Sequence, residues 1–284
     1  MAGLLYLVPT PIGNLGDISA RCREVLGQVD FIAAEDTRVT LKLLNHMQIR
    51  KPLLSYYEHN KLVRGAEIVE RILGGETCAL VSDAGSPAIS DPGEDLVRQC
   101  AGAGIAVSAI PGPCALVSAL SISGLPTGRF TFEGFLSTAK KNRAEHLTAL
   151  AQETRTMIFY EAPHKLLATL RDMAQVFGGD RPISLCRELT KLHEEVVRTT
   201  LSAAVSRYEQ APPKGEFVLV IAGAAPEERR QVPLETAVLR IRTLMAAGAS
   251  RKDAARQTAQ ETGLPKNVIY EASLSDAPQA ADTP

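Results

Sequence analysis

The 284-residue chain predicts an α/β protein: two α/β domains, the first with a mostly parallel sheet and the second with a mixed sheet, then a helix-turn-helix-like module. Three observations carry this. The length suits roughly two domains of about 100–150 residues. Short apolar runs alternate with helically spaced segments, the pattern of strands buried on both faces. The last fifty residues change character and hold only short helical patterns. The expected divisions are residues 1–122, 123–225, 231–275 and a disordered tail at 276–284.

Composition narrows the class. At 45% hydrophobic and 22% charged, the chain is too aliphatic for intrinsic disorder. No apolar run approaches the roughly 18 residues of a membrane span. Five cysteines (Cys22, Cys78, Cys100, Cys114 and Cys186) form no Cys-x-x-Cys pair. A reducing cytoplasm is therefore the expected setting, and neither a disulfide framework nor a zinc knuckle is expected. The run at 4–8 lacks the basic start of a signal peptide and reads as a first strand. A net charge of −1 argues against a broadly basic nucleic-acid binder.

In the first domain, strands are expected at 4–8, 31–34, 78–81 and 105–110. Asp17 can cap a helix running through Arg21, Val25 and Leu26. Residues 37–47 carry helically spaced leucines. Residues 62–73 follow the same pattern and stop at Gly74-Gly75. Asp91-Pro92 reads as a cap followed by proline in the first turn. The link to the second domain falls near Ser123-Gly124-Leu125-Pro126.

The second domain offers strands at 156–160, 183–186, 194–199 and 217–221, and helices at 164–177 and 201–210. No long helix precedes 194–199, so the sheet is expected to be mixed. Pro226-Glu227-Glu228-Arg229-Arg230 reads as a linker. Helices follow at 234–247, 250–262 and 266–274, with Ser250 and Asp253 in capping-box spacing and a turn at Gly263-Leu264-Pro265.

Ligands of open α/β sheets bind beyond the carboxyl ends of the strands. Four such ends carry glycine, proline or small polar residues: 9–14, 35–38, 82–93 and 111–115. These loops let a ligand approach the backbone. Dinucleotide, P-loop, metalloprotease and nucleophile-elbow motifs are absent, and Arg38 is the only cation in the loops. An uncharged or zwitterionic, adenosine-bearing cofactor fits better than a polyphosphate. No metal-ligand spacing is present.

Residues 8–17 (Val-Pro-Thr-Pro-Ile-Gly-Asn-Leu-Gly-Asp), Ala34-Glu35-Asp36-Thr37-Arg38, Ser82-Asp83-Ala84-Gly85-Ser86-Pro87, Pro111-Gly112-Pro113, Phe159-Tyr160-Glu161-Ala162-Pro163-His164, Arg187-Glu188-Leu189-Thr190-Lys191 and Lys214-Gly215-Glu216 occur in this order. Together they resemble the tetrapyrrole-methylase superfamily, in its ribosomal-RNA-modifying branch, from about residue 4 to 274. The superfamily's Gly-x-Gly-x-Gly-Asp is replaced by Pro9-Thr10-Pro11-Ile12-Gly13-Asn14, which speaks against a porphyrin-type substrate. The resemblance implies S-adenosylmethionine as methyl donor and 2'-O-methylation of one cytidine ribose in 16S rRNA. It also implies a cofactor cleft between two α/β domains and a homodimer. The cofactor positions it implies are Pro11, Ile12 and Gly13; Ala84, Gly85, Ser86 and Ile89; Cys114 and Ala115; and, in the second domain, Leu189, Glu216 and Phe217.

Such a transfer needs the two reacting atoms held in line and an acceptor for a weakly acidic hydroxyl proton. Asp36, Asp83, Glu161 and Glu188 each end or follow a strand and are the candidates. Their competing roles are equally concrete. Asp36 could cap the helix after it, Asp83 could bond its own turn, and Glu161 could cap the helix at 164. His59 and His164 are weaker candidates, and Tyr56-Tyr57 could stack on a base or simply pack.

RNA contact is expected from Arg38, from Lys140, Lys141, Arg143 and Lys165, and from Arg251, Lys252 and Lys266. Residues 136–171 hold six basic and three acidic side chains, so positive charge is concentrated locally. Reversing Lys140, Lys141 and Arg143 together is expected to weaken RNA binding in a salt-dependent way. Two other functions fit parts of the sequence: a tetrapyrrole methyltransferase, which has no use for the C-terminal module, and a non-enzymatic nucleic-acid adaptor, which leaves the four strand-end loops unexplained.

Overall fold

Runs such as Phe31–Ala34 contain no polar residue because both faces of the strand are covered: all four residues are buried. The computed structural model describes residues 3–225, 234–262 and 264–275. The first half runs β1 (Leu4–Leu7), a 3-10 turn (Leu15–Asp17), α1 (Ala20–Gln28), β2 (Phe31–Ala34), α2 (Thr37–His46), β3 (Leu53–Ser55), α3 (Lys61–Leu73), β4 (Thr77–Val81), α4 (Gly93–Gly102), β5 (Ala106–Ala109) and α5 (Ala115–Ile122). The strands form a parallel sheet in the order β3-β2-β4-β1-β5. Alternate side chains point to opposite faces. Ile32, Ala34, Ala79 and Val81 therefore pack on α1 and α2 through Leu26 and Leu44, whereas Phe31, Ala33, Cys78 and Leu80 meet Ile68, Ile72 and Leu96 of α3 and α4.

Two caps differ from expectation. Ser19, not Asp17, caps α1: its hydroxyl accepts from Cys22 N at 3.0 Å, while Asp17 closes the preceding 3-10 turn, which Asn14 caps. Asp91 does support α4, but Pro92 stays outside the helix, whose first residue is Gly93. The short edge strand β3 has too few residues to show a period.

The second sheet contains β6 (Phe130–Phe135), β7 (Thr156–Glu161), β8 (Pro182–Arg187), β9 (Glu195–Thr200) and β10 (Phe217–Ile221), with α6 (Lys140–Ala149), α7 (Pro163–Phe177) and α8 (Leu201–Gln210) between them. Its order is β6-β7-β10-β8-β9. Only the β6–β7 pair is parallel, so the sheet is mixed. One face packs on α6, α7 and α8. The other is covered by α5, whose Leu116, Ala119 and Leu120 meet Ile158, Cys186, Val218 and Val220. A helix that follows the first sheet thus packs on the second. β6 and α6 were not expected: a bulge between Phe132 and Gly134 breaks the strand's alternation, and α6 buries only Leu147.

Residues 1–223 form one unit and 224–284 another. The second contains α9 (Leu234–Ala246), α10 (Arg251–Thr262) and α11 (Lys266–Ser275), packed around Ala237, Ile241, Ala254, Ala255 and Ile269. Ser250 caps α10 by accepting from Asp253 N at 3.1 Å. The polar linker at 226–230, the turn residue Gly263 and the tail at 276–284 lie outside the described residues. Among the described residues, no helix is long and apolar enough to cross a membrane.

Candidate functional site

The strand-end loops of the first sheet are tied to one another. Thr10 and Gly85 exchange two backbone hydrogen bonds of 2.9 and 3.0 Å. The Thr10 hydroxyl donates to Ser82 O at 3.1 Å, and the Ser86 hydroxyl donates to Pro113 O at 2.9 Å. Gly85 is at φ +86°, and a β-carbon there would stand 3.2 Å from Ile12 Cγ2. These bonds hold three loops in one cradle without bulky side chains.

The facing wall comes from the second sheet. Tyr160 accepts from Leu116 N at 3.1 Å through its hydroxyl, joining β7 to α5. Burial pushes that hydroxyl up to about 12, so it stays protonated. Glu161 is 3% exposed; its oxygens accept from Ala162 N at 2.8 Å and from the Thr169 hydroxyl at 2.5 Å. Glu188 accepts from Lys191 Nζ at 2.8 Å and from Glu216 N at 2.9 Å, and Lys191 also pairs with Glu216 at 2.9 Å. The Lys191 bond and the Glu216 amide hold the Glu188 carboxyl below its usual range. Ala88, Ser90, Glu188 and Thr190 all sit at positive φ in the two loops that wall the site, a concentration of backbone strain typical of functional loops.

Between the walls lies a cavity of about 600 Å³, within the usual range for a small-molecule site. Ten of the twelve positions expected for the cofactor line it; Pro11 and Gly13 flank Ile12 without doing so. Asp83, Glu161 and Glu188 line it and Asp36 does not. Asp36 instead caps α2, accepting from Arg38 N at 2.8 Å and from the Arg38 guanidinium at 2.6–3.2 Å. Those bonds hold its carboxyl at about 2.

Glu35, one residue earlier, faces the cavity. Its Oε2 is 3.4 Å from Asp83 N, and Asp83 Oδ1 accepts from Asp36 N at 3.0 Å. Burial, then the charge of Asp83, pushes the Glu35 carboxyl up. Burial likewise raises Asp83 and Asp91. Sequence reasoning missed Glu35, Phe135, Tyr160 and Lys191 as lining residues. For Glu35 the available signal was its place directly after β2, in the same strand-end loop as Asp36, which is committed as the cap of α2.

The cavity's charge is lopsided. Six carboxylates (Glu35, Asp83, Asp91, Glu161, Glu188 and Glu216) line it against one lysine, Lys191, and one histidine, His164. Such a donor set favours a ligand with positive charge, as the sulfonium and ammonium groups of S-adenosylmethionine provide, and opposes a polyphosphate. Apolar lining from Ile12, Ile89, Leu189 and Phe217 suits an adenosine. Among the described residues no group of side chains could hold a metal.

The expected RNA-contacting residues lie outside the cavity. Lys140 and Lys141 are exposed in the first turn of α6, with Lys141 3.9 Å from Glu145; Arg143 is turned inward on Asp172 at 2.6 Å. Lys165 is half-buried in α7, and Arg38 holds Asp36. In the helical unit Lys252 and Lys266 are exposed, and Arg251 donates to Ser273 O at 3.2 Å. Tyr56 is 1% exposed and donates to Pro92 O at 3.1 Å, which removes it as a base-stacking surface.

Residues 4–205 match the tetrapyrrole (corrin/porphyrin) methylases, and residues 232–277 match the RsmI C-terminal HTH domain. A ribosomal RNA small subunit methyltransferase I from Synechocystis sp. is 53% identical over 272 residues, covering 96% of this chain and 98% of its own. One from Pseudomonas aeruginosa is 46% identical over 279 residues, covering 96% and 97%. Uroporphyrin-III C-methyl transferase from Thermus thermophilus, solved with S-adenyl homocysteine, shares the fold at TM-score 0.54 and 15% identity, covering 77% of this chain and 97% of its own.

Proposed function

Since the chain belongs to the tetrapyrrole (corrin/porphyrin) methylase family, we propose that it methylates 16S rRNA of the small ribosomal subunit, using S-adenosylmethionine and acting on the 2'-hydroxyl of one cytidine ribose. The observation that carries the reading is the acidic, partly apolar cavity, six carboxylates around one lysine, on a chain whose relatives bear the rRNA methyltransferase name over nearly their whole length. The reading also takes the protein to be a cytoplasmic homodimer.

When bound, S-adenosylmethionine supplies a methyl group already activated by a positively charged sulfur. Ile12, the Ala84–Ser86 backbone, Cys114, Ala115 and Leu189 would hold it, with Glu216 and Phe217 on the facing wall. What remains for the protein is alignment and proton acceptance. Asp36 is spent on Arg38, both oxygens of Glu161 are bonded, and Glu188, whose Oε2 is open, is held below its usual carboxyl range by Lys191 and so accepts a proton poorly. Asp83 has Oδ2 uncommitted, and we assign the ribose proton to it. Glu35 beside it disfavours a second negative charge and keeps the pair's affinity for a proton high.

Phe135 is 55% exposed, lines the cavity, and is braced edge-on by Tyr160 at 5.5 Å between ring centres. It offers a fixed face for the base of an extruded nucleotide. Phe135→Ala is expected to raise KM for rRNA about tenfold, from stacking worth ~1–3 kcal/mol per base, with S-adenosylmethionine affinity within about twofold. Phe135→Tyr should restore it. A fall in cofactor affinity instead would place the ring against adenosine. Methyl transfer assayed on small subunits, with a uroporphyrinogen arm alongside, tests the reading as a whole: transfer to the tetrapyrrole alone would overturn it.

A further inference from the structure

The cavity repels what the proposed substrate carries. Six carboxylates line it, whereas RNA brings a negative charge with every nucleotide. Phosphates flanking the target must lie outside, against cations, and the charges nearest the cavity should be the ones that hold them. A second groove, of about 700 Å³, is lined by residues next in sequence to some of those that line the cavity. The two linings adjoin along the chain at two places. Arg187, the last residue of β8, lines the groove, and Glu188 lines the cavity; Lys214 lines the groove, and Glu216 lines the cavity.

The groove has the opposite charge. Arg187, Arg207 and Lys214 line it against a single carboxylate, Glu195. Glu195 sits between the two guanidiniums, accepting from Arg187 Nε at 3.1 Å and from Arg207 Nη2 at 2.7 Å. One carboxylate cannot neutralise both, and it fixes their heads side by side. Lys214 is exposed and forms no ion pair with another described residue. Its carbonyl accepts from Arg187 Nη1 at 3.4 Å, and Pro212 and Pro213 stiffen the segment leading to it. Paired guanidiniums present the donor geometry that phosphate oxygens take up.

We propose that this groove holds the backbone phosphates of the RNA strand adjoining the nucleotide in the cavity. The proposal rests on reading that cavity as an RNA methylation site. The arrangement explains how an acidic active site can act on a polyanion: attraction is placed in a groove outside the cavity, on residues that adjoin the cavity's own along the chain.

The test uses the full-length enzyme and small ribosomal subunits over a series of salt concentrations, with S-adenosylmethionine affinity measured on each variant. Lys214→Glu and Arg207→Glu are each expected to weaken subunit binding about five- to tenfold at low salt and to flatten the salt dependence, with cofactor affinity unchanged. Glu195→Gln is expected to strengthen binding, a direction that loss of packing does not produce. Lys214 has no ion pair to lose, so its variant separates charge from folding. Wild-type-like binding and salt slope in both reversals, in an enzyme that still methylates rRNA, would overturn the groove alone. A wild-type enzyme that fails to methylate rRNA would overturn the cavity reading and the groove with it.

Discussion

Asp83→Asn is expected to lower kcat for methyl transfer by roughly 10²-fold, the lower part of the range for a positioned general base. The lower part applies because the transferred methyl is already activated and only the weakly acidic hydroxyl needs help. Cofactor affinity should stay within about twofold, since Asp83 is argued to serve the acceptor. Asp36→Ala should instead cost helix stability through its cap and its bond to Arg38, with kcat nearly kept. The pH profile carries the sign. Burial raises the Asp83 and Glu35 carboxyls, and the active form is the carboxylate. Activity should therefore fall as pH drops through a pKa above the ordinary carboxylate range. Two carboxylates this close repel each other whichever holds the proton, so the limb belongs to the pair. Glu35→Gln removes one of the two charges and should move that limb to lower pH. A limb that does not move would separate Glu35 from the proton transfer.

Gly85→Ala is the second large effect, and it should appear in cofactor affinity. The residue sits at φ +86°, where a side chain costs ~1–2 kcal/mol. The new β-carbon would also press on Ile12 from 3.2 Å, in the middle of the loop pair that Thr10 and Gly85 hold together. A penalty of that size corresponds to a factor of about 5–30. S-adenosylmethionine should bind about five- to thirtyfold more weakly, and Tm should fall. Gly27→Ala is the control. It lies in α1 with no heavy atom near its missing β-carbon, so affinity should not change. Equal effects of the two substitutions would mean that the loop cradle does not set cofactor affinity.

The readable parts of the chain were those where one physical requirement dominates. Residues 31–34 and 217–221 coincide with β2 and β10 because strands buried on both faces must be apolar throughout. Loops that receive a ligand must be small and kinked, so the segments containing Ile12, Gly85 and Cys114 are legible in the sequence alone. β6 stayed hidden because a bulge at Gly134 spoils its period, and α6 because a helix that buries one leucine has no stripe to read. The carboxylates were only half legible. Asp36 and Glu35 are neighbours with the same chemistry, and only the capping of α2 by Asp36 tells which of them is left for the ligand. Phe135 and the Arg187–Glu195–Arg207 set were invisible for another reason: Phe135 meets Tyr160 through the β6–β7 pairing, and the charged set joins the β8–β9 pair to α8, which no local pattern records.

The most direct measurement is transfer of a labelled methyl from S-adenosylmethionine to small ribosomal subunits, followed by digestion of the 16S rRNA to nucleosides. The label is expected to run as 2'-O-methylcytidine and to be incorporated roughly 10²-fold more slowly by Asp83→Asn. Label on a base or on another nucleoside, or none in the rRNA while the enzyme binds S-adenosylmethionine normally, would contradict it.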